Sequence, residues 1–87
     1  MNFIALIGIV NNWAQTNDQI KLNLKVDRHE EYADSECDYE EIVVQFNSHK
    51  FHDEFNILHE GDIIGVKGKV MNENGMQIIY GEKLQIF

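Results

Sequence analysis

The sequence predicts an all-β domain, a five-stranded Greek-key barrel with one short helix between strands three and four. Three observations carry that expectation. Apolar and polar residues alternate over several short runs, most cleanly in IKLNLKV at 20–26, which is the period of a half-buried strand. The segment KFHDEFNILH at 50–59 instead places Phe51, Phe55 and Leu58 at helical spacing. Glycines also interrupt strand-like runs at Gly8, Gly65 and Gly68, where small barrels need bends or close backbone approach.

Strand one is predicted over 2–10, NFIALIGIV, with both faces apolar, so both faces should be covered. The polar stretch NNWAQTNDQ that follows reads as a turn, because Asn and Asp accept turn geometry. Strand two is 20–26, with Ile20, Leu22, Leu24 and Val26 on one side and Lys21, Asn23 and Lys25 on the other. Strand three is EIVVQF at 41–46. The helix precedes Gly61, which sits where a left-handed C-terminal residue belongs. Strand four is 62–70, with Ile64, Val66 and Val70 inward and Lys67 and Lys69 outward. MNENG forms a turn, and strand five is 76–87. Gly68 falls on the inward set, as barrel geometry requires, and Gly65 on the outward set, at a surface made for close approach.

The 87 residues are expected to form a single domain, 1–87, near the size at which a core closes without staples. One cysteine, Cys37, excludes an internal disulfide framework and suits a reducing compartment. The apolar N-terminus has no basic region before it and is too short to span a bilayer. The net charge of −8 is concentrated: residues 27–41, DRHEEYADSECDYEE, hold eight acids and one Arg, 1 − 8 = −7. The other residues carry six Lys and seven acids, 6 − 7 = −1. The body is nearly neutral, and an acidic segment, expected as a mobile loop over about 27–40, interrupts it.

Several chemistries are excluded by spacing. A phosphate-binding loop needs G-x-x-x-x-G-K-[ST], but Gly68-Lys69 is followed by Val70, and Ile63 stands five residues before Gly68. His49 and His52 form one pair, short of the four convergent ligands of structural zinc. Asp34, Glu36 and Asp38 imitate part of a calcium loop, yet the sixth position from Asp34 is Tyr39 rather than glycine. No catalytic constellation stands out, so no enzyme, metal or cofactor is expected.

Strand–strand–strand–helix–strand–strand is the element order of the OB barrel. Four blocks then resemble bacterial single-stranded DNA-binding proteins and their relative, primosomal replication protein N: NFIALIGIV at 2–10, IVVQF at 42–46, LHEGDIIGVKGKV at 58–70 and GEKLQIF at 81–87. The resemblance implies an OB fold and a cytoplasmic, bacterial or phage-encoded protein of DNA replication, repair or recombination. It also implies homodimers or homotetramers built partly through strand one. Phe46 stands where the family places a stacking Phe, whereas its stacking tryptophans have no counterpart here. The family's acidic tail is not expected, because the sequence stops with the last strand.

Single strands are held by cations on phosphates and aromatic faces under bases. Lys21 and Lys25 share one face of strand two, Lys67 and Lys69 one face of strand four, and Lys50, Lys83 and Arg28 complete the basic set. If the outer faces of strands two and four belong to one surface, four ammonium groups converge; otherwise the lysines solvate the barrel. Trp13, in its polar surroundings, either stacks on a base or folds over a barrel end or an oligomer contact. Phe51 and Phe55 read as barrel plugs, and Tyr80 suits either purpose. The expected nucleic-acid contacts are Lys21, Lys25, Phe46, Lys50, Lys67, Lys69 and Trp13, toward single-stranded DNA, with RNA as the variant substrate. The outward row Phe3, Ala5, Ile7 and Ile9 is apolar and predicts an oligomer interface. The alternative is an interaction module, a primosome-like accessory, that docks a basic partner such as a replication protein through the acidic loop.

Overall fold

The computed structural model describes residues 2–27 and 39–87. Its elements are β1 (Asn2–Gln15), β2 (Gln19–Asp27), β3 (Tyr39–Asn47), α1 (His52–Ile57), β4 (Ile63–Glu73) and β5 (Met76–Ile86). The strands close into a barrel in the order β1-β2-β3-β5-β4. The β3–β5 pair is parallel, through Val44 with Ile79 and Gln45 with Tyr80; the other four pairings are antiparallel. This is the five-stranded Greek-key barrel with a β3–β4 helix that the sequence predicts.

The core follows from the alternation. Val10, Ile20, Leu22, Leu24, Val44, Phe46 and Ile64 are fully buried, each contributing about 1.5–3 kcal/mol by leaving water. Phe51 and Phe55 join the core as the predicted plugs of one barrel end, and Leu58 is buried in the same cluster. Gly68 is also explained by the packing, since a Cβ there would run into the backbone of Tyr80.

Four local expectations are corrected. Strand one does not end at Val10 but runs on to Gln15. β1 passes from β4 to β2 at Ile9, which pairs with Ile63 on one side and Lys25 on the other, and the register with β2 then shifts at a bulge between Val10 and Asn12. The turn shrinks to the residues after Gln15, closed by the Thr16 N–H donating to the Gln19 carbonyl at 2.8 Å. Gly61 is not a helix cap. Helix α1 ends in extended backbone at Leu58, and Gly61, at φ 93°, serves a turn in which the Asp62 N–H donates to the His59 carbonyl at 3.1 Å. The β4–β5 turn is also tighter than MNENG. Asn74 (φ 52°) and Gly75 (φ 79°) alone make it, the two-residue turn that matches strand twist. Finally, Asp27 belongs to β2 and pairs with Tyr39, the first residue of β3. Glu40 is likewise in β3, opposite Val26, and residues 28–38 of the predicted acidic loop, with Arg28 and Cys37, lie outside the described residues.

Candidate nucleic-acid interface

Register partners on neighbouring strands present their side chains on the same face. On the outer surface, Lys21 of β2 lies beside Gln45 of β3, Gln45 beside Tyr80 of β5, and Tyr80 beside Lys69 of β4. One continuous row therefore crosses four strands with an ammonium group at each end. Three strand spacings separate Lys21 from Lys69, about 14 Å along the sheet. The parallel β3–β5 pair makes the connection, because it is the seam at which the barrel closes.

The remaining lysines are spread about this row. Lys67 lies two residues from Lys69, about 7 Å along the strand, directly opposite Lys83 of β5. Two like charges in register are unfavourable by themselves, and an anion between them would relieve that repulsion. Lys25 lies on the other side of the row, about 13 Å from Lys21. It pairs in register with Glu41, and its Nζ sits 5.0 Å from the centre of the Tyr39 ring. Lys69 Nζ is 3.8 Å from Glu82 Oε1, a partly exposed ion pair of small worth. Lys50 stands apart, in the turn before α1, with Nζ 5.7 Å from the Phe51 ring centre.

The aromatic expectations change. Phe46 is only 1% exposed and packs edge-on against Phe51 (4.8 Å) and Phe55 (5.4 Å). A ring enclosed in this way offers no face to a base, so the stacking role implied by the family resemblance is corrected to a core role. Trp13 is in β1 rather than a polar loop. It pairs with Leu22, is half-buried, and meets Phe55 edge-to-face at 5.7 Å over the barrel end. Of the two alternatives stated for it, the fold-back position is the one it occupies.

Tyr80 and Gln45 are the neighbours that sequence reasoning did not assign. Their outward parity was available in the alternation, but their adjacency depends on the β3–β5 register. The Tyr80 phenol donates to Glu73 Oε1 at 2.8 Å. That hydrogen bond, with some desolvation and the carboxylate's charge, holds the phenol above its ordinary value of 10.0, so Tyr80 is neutral near pH 7.

Solved structures share this arrangement of strands. The mitochondrial single-stranded DNA binding protein of S. cerevisiae superposes with a TM-score of 0.75 over 98% of this chain and 92% of its own, at 7% identity. The N-terminal domain of PriB from Thermoanaerobacter tencongensis, described as dimeric, gives 0.70 over 99% and 96%, at 15% identity. A small single-stranded DNA-binding protein from Streptomyces coelicolor gives 0.70 over 99% and 92%, also at 15%. The chain has the OB fold. At these identities the likeness establishes the fold alone. No family model matches the sequence, and no curated protein matches it.

In OB barrels the outer side of strands two and three is a common ligand face, and the Lys21–Gln45 half of the row lies on it. A second surface of this OB barrel is apolar. Phe3 (71% exposed), Ala5, Ile7 (65%) and Ile9 all point outward from β1, as the alternation predicts. Ile63 and Phe87 enlarge the patch, and the Phe87 ring covers Gly65. Among the described residues Asn2–Gly8 pair only with β4, so their other edge is open. Among the same residues no three His, Cys, Asp or Glu side chains are grouped to hold a metal, and no helix is long and apolar enough to cross a membrane.

Proposed function

We propose that this protein binds single-stranded DNA without catalysing a reaction, in DNA replication, repair or recombination. The observation that carries the reading is the outer row Lys21–Gln45–Tyr80–Lys69. Lys67 and Lys83, in register beside it, add a second phosphate site. Ammonium groups at both ends of a row hold successive stretches of a flexible polyanion, while Tyr80 offers a neutral ring between them. Recognition of this kind tolerates sequence, because every nucleotide presents the same phosphate. Solved structures with this fold are named as single-stranded DNA-binding proteins, which supports the reading.

The working unit is at least a homodimer joined through Phe3, Ala5, Ile7 and Ile9, an apolar face that a monomer would leave in water. That surface adjoins the β4 end of the lysine row, since Phe3 pairs in register with Lys69 and Ala5 with Lys67, so assembly sets the rows of the two copies beside the dimer seam. A cytoplasmic setting and contacts to replication proteins follow from the same reading.

Titration of labelled oligothymidine over a range of salt concentrations is the direct test. Affinity falls linearly in log–log form, with a slope of about −0.7 per neutralised phosphate on a single strand. An RNA oligonucleotide in the same series measures the preference between the two backbones. A second reading has its own support: Lys25 lies opposite Glu41 and Lys69 beside Glu82, which reduces the field of the row. It describes a docking module that meets a basic partner through the acidic segment, and complete absence of oligonucleotide binding at low salt would favour it.

A further inference from the structure

The rows flanking Lys21–Lys69 differ sharply on their two sides. Two residues toward the β4–β5 hairpin tip, about 7 Å along each strand, the outward positions are Asn23, Val43, Ile78 and Met71. Asn23 pairs with Val43, and Ile78 with Met71. Val43 is 49% and Met71 45% exposed, while Ile78 is half-buried. A further two residues on, the outward set includes Glu41 on β3 and Glu73 on β4. The outer sheet is thus banded, with cations, then an uncharged row that is apolar apart from Asn23, then a row in which Glu41 and Glu73 stand beside Lys25 and Met76. Tyr80 bridges the bands. It starts in the cationic row, and its phenol reaches Glu73 in the acidic one, so its ring runs toward the hairpin tip on the side of Met71.

We infer that this band holds the nucleobases: phosphates lie along Lys21 and Lys69, and the bases turn toward Val43, Ile78 and Met71, beside the Tyr80 ring. The inference rests on the proposed single-strand binding and adds what the bases touch and which way the strand faces. Continuity argues for it, since the apolar row begins one side-chain step from the cationic row and runs parallel to it. Charge argues for it as well. A strand laid the other way round would bring its phosphates against Glu41 and Glu73, and among the described residues only Lys25 stands there to offset Glu41. The platform is aliphatic and thioether rather than a stack of tryptophans. Such a surface gains from each methyl group it covers, and Met sulfur adds favourable contact with aromatic rings. The ligand class follows: unpaired bases carrying a methyl group, thymine above uracil.

The test compares oligodeoxythymidine with oligodeoxyuridine of equal length, which differ only in the C5-methyl group. The full chain binds both with the same salt slope and binds thymidine more tightly, by about fourfold if one methyl is fully covered per site. Replacing Val43→Ser and Met71→Ser together removes that preference and leaves the salt slope unchanged. Equal wild-type affinity for the two oligonucleotides, with the salt slope intact, overturns the base band and leaves single-strand binding standing. Failure of both to bind at low salt removes the underlying reading itself. The wild-type comparison decides the matter even where the double variant does not fold.

Discussion

The ring of Phe46 fills the space that a side chain at Gly81 would need. A Cβ built on Gly81 meets three ring atoms of Phe46, all too close for any real contact. Phe46 is at the end of β3 and Gly81 in β5, next to the seam that closes the barrel. Large and small residues facing each other let the seam shut over a full core. Gly81→Ala therefore overpacks a site with rigid neighbours and lowers stability by about 1–3 kcal/mol, read as a reduced urea midpoint. Phe46→Leu opens that space, so the double variant is less destabilised than the sum of the two single changes. Additive effects would show that ring and glycine do not share one space.

The lysine row makes a quantitative claim about salt. Lys21→Ala and Lys69→Ala each remove one phosphate contact, so each reduces the magnitude of the log–log salt slope by about 0.7. Glu82→Gln works in the opposite direction, because it frees Lys69 from its 3.8 Å ion pair and strengthens binding. Phe46→Leu, by contrast, leaves the slope where it is, since that ring lies in the core. A slope insensitive to both lysines would move the phosphates to another surface.

Much of the fold was legible because two periods are written plainly in the chain. Ile20, Leu22 and Leu24 mark an inward face, and Phe51, Phe55 and Leu58 mark the helix that closes the end. Asn11 to Gln15 misled because their composition suits a turn; pairing with β2 overrides that local preference and draws Trp13 over Phe55. Phe46 shares its parity with the buried Val44, so its inward position could be read from IVVQF, and the stacking role came from family likeness instead. The lysine row was half legible. Alternation gives the outward faces of β2 and β4, but nothing local reports that β3 and β5 lie in parallel register between them.

Oligomerisation follows from the outer side of β1. Phe3, Ile7 and Ile9 are exposed together with Ile63 and Phe87, and the adjacent strand edge is open among the described residues. Pairing two copies would cover both the apolar row and the edge. Ile7→Lys places a charge in the middle of that face, opposite Gly65 of β4. Light scattering should then report half the wild-type mass or less, with the barrel's circular dichroism preserved. A wild type that is already monomeric at micromolar concentration would refute the interface.

The Tyr80–Glu73 hydrogen bond can be followed through alkaline titration. Glu73 favours the protonated phenol, so the folded-state value lies above the ordinary 10.0. For a group shifted in this direction, the stabilisation is fully present below the unfolded value and fades as pH rises through the folded one. Near pH 7 the bond is intact and pH-insensitive, and its loss belongs to the range above 10.0. Glu73→Gln keeps an acceptor but removes the negative charge, so Tyr80 ionises nearer its ordinary value. Phenolate absorbance checks this, with Tyr80→Phe identifying which of the three tyrosines responds. If Glu73→Gln leaves the titration unchanged, the ring is not tied to the hairpin arm. The path proposed for it, from the cationic row toward the acidic one, would then be lost.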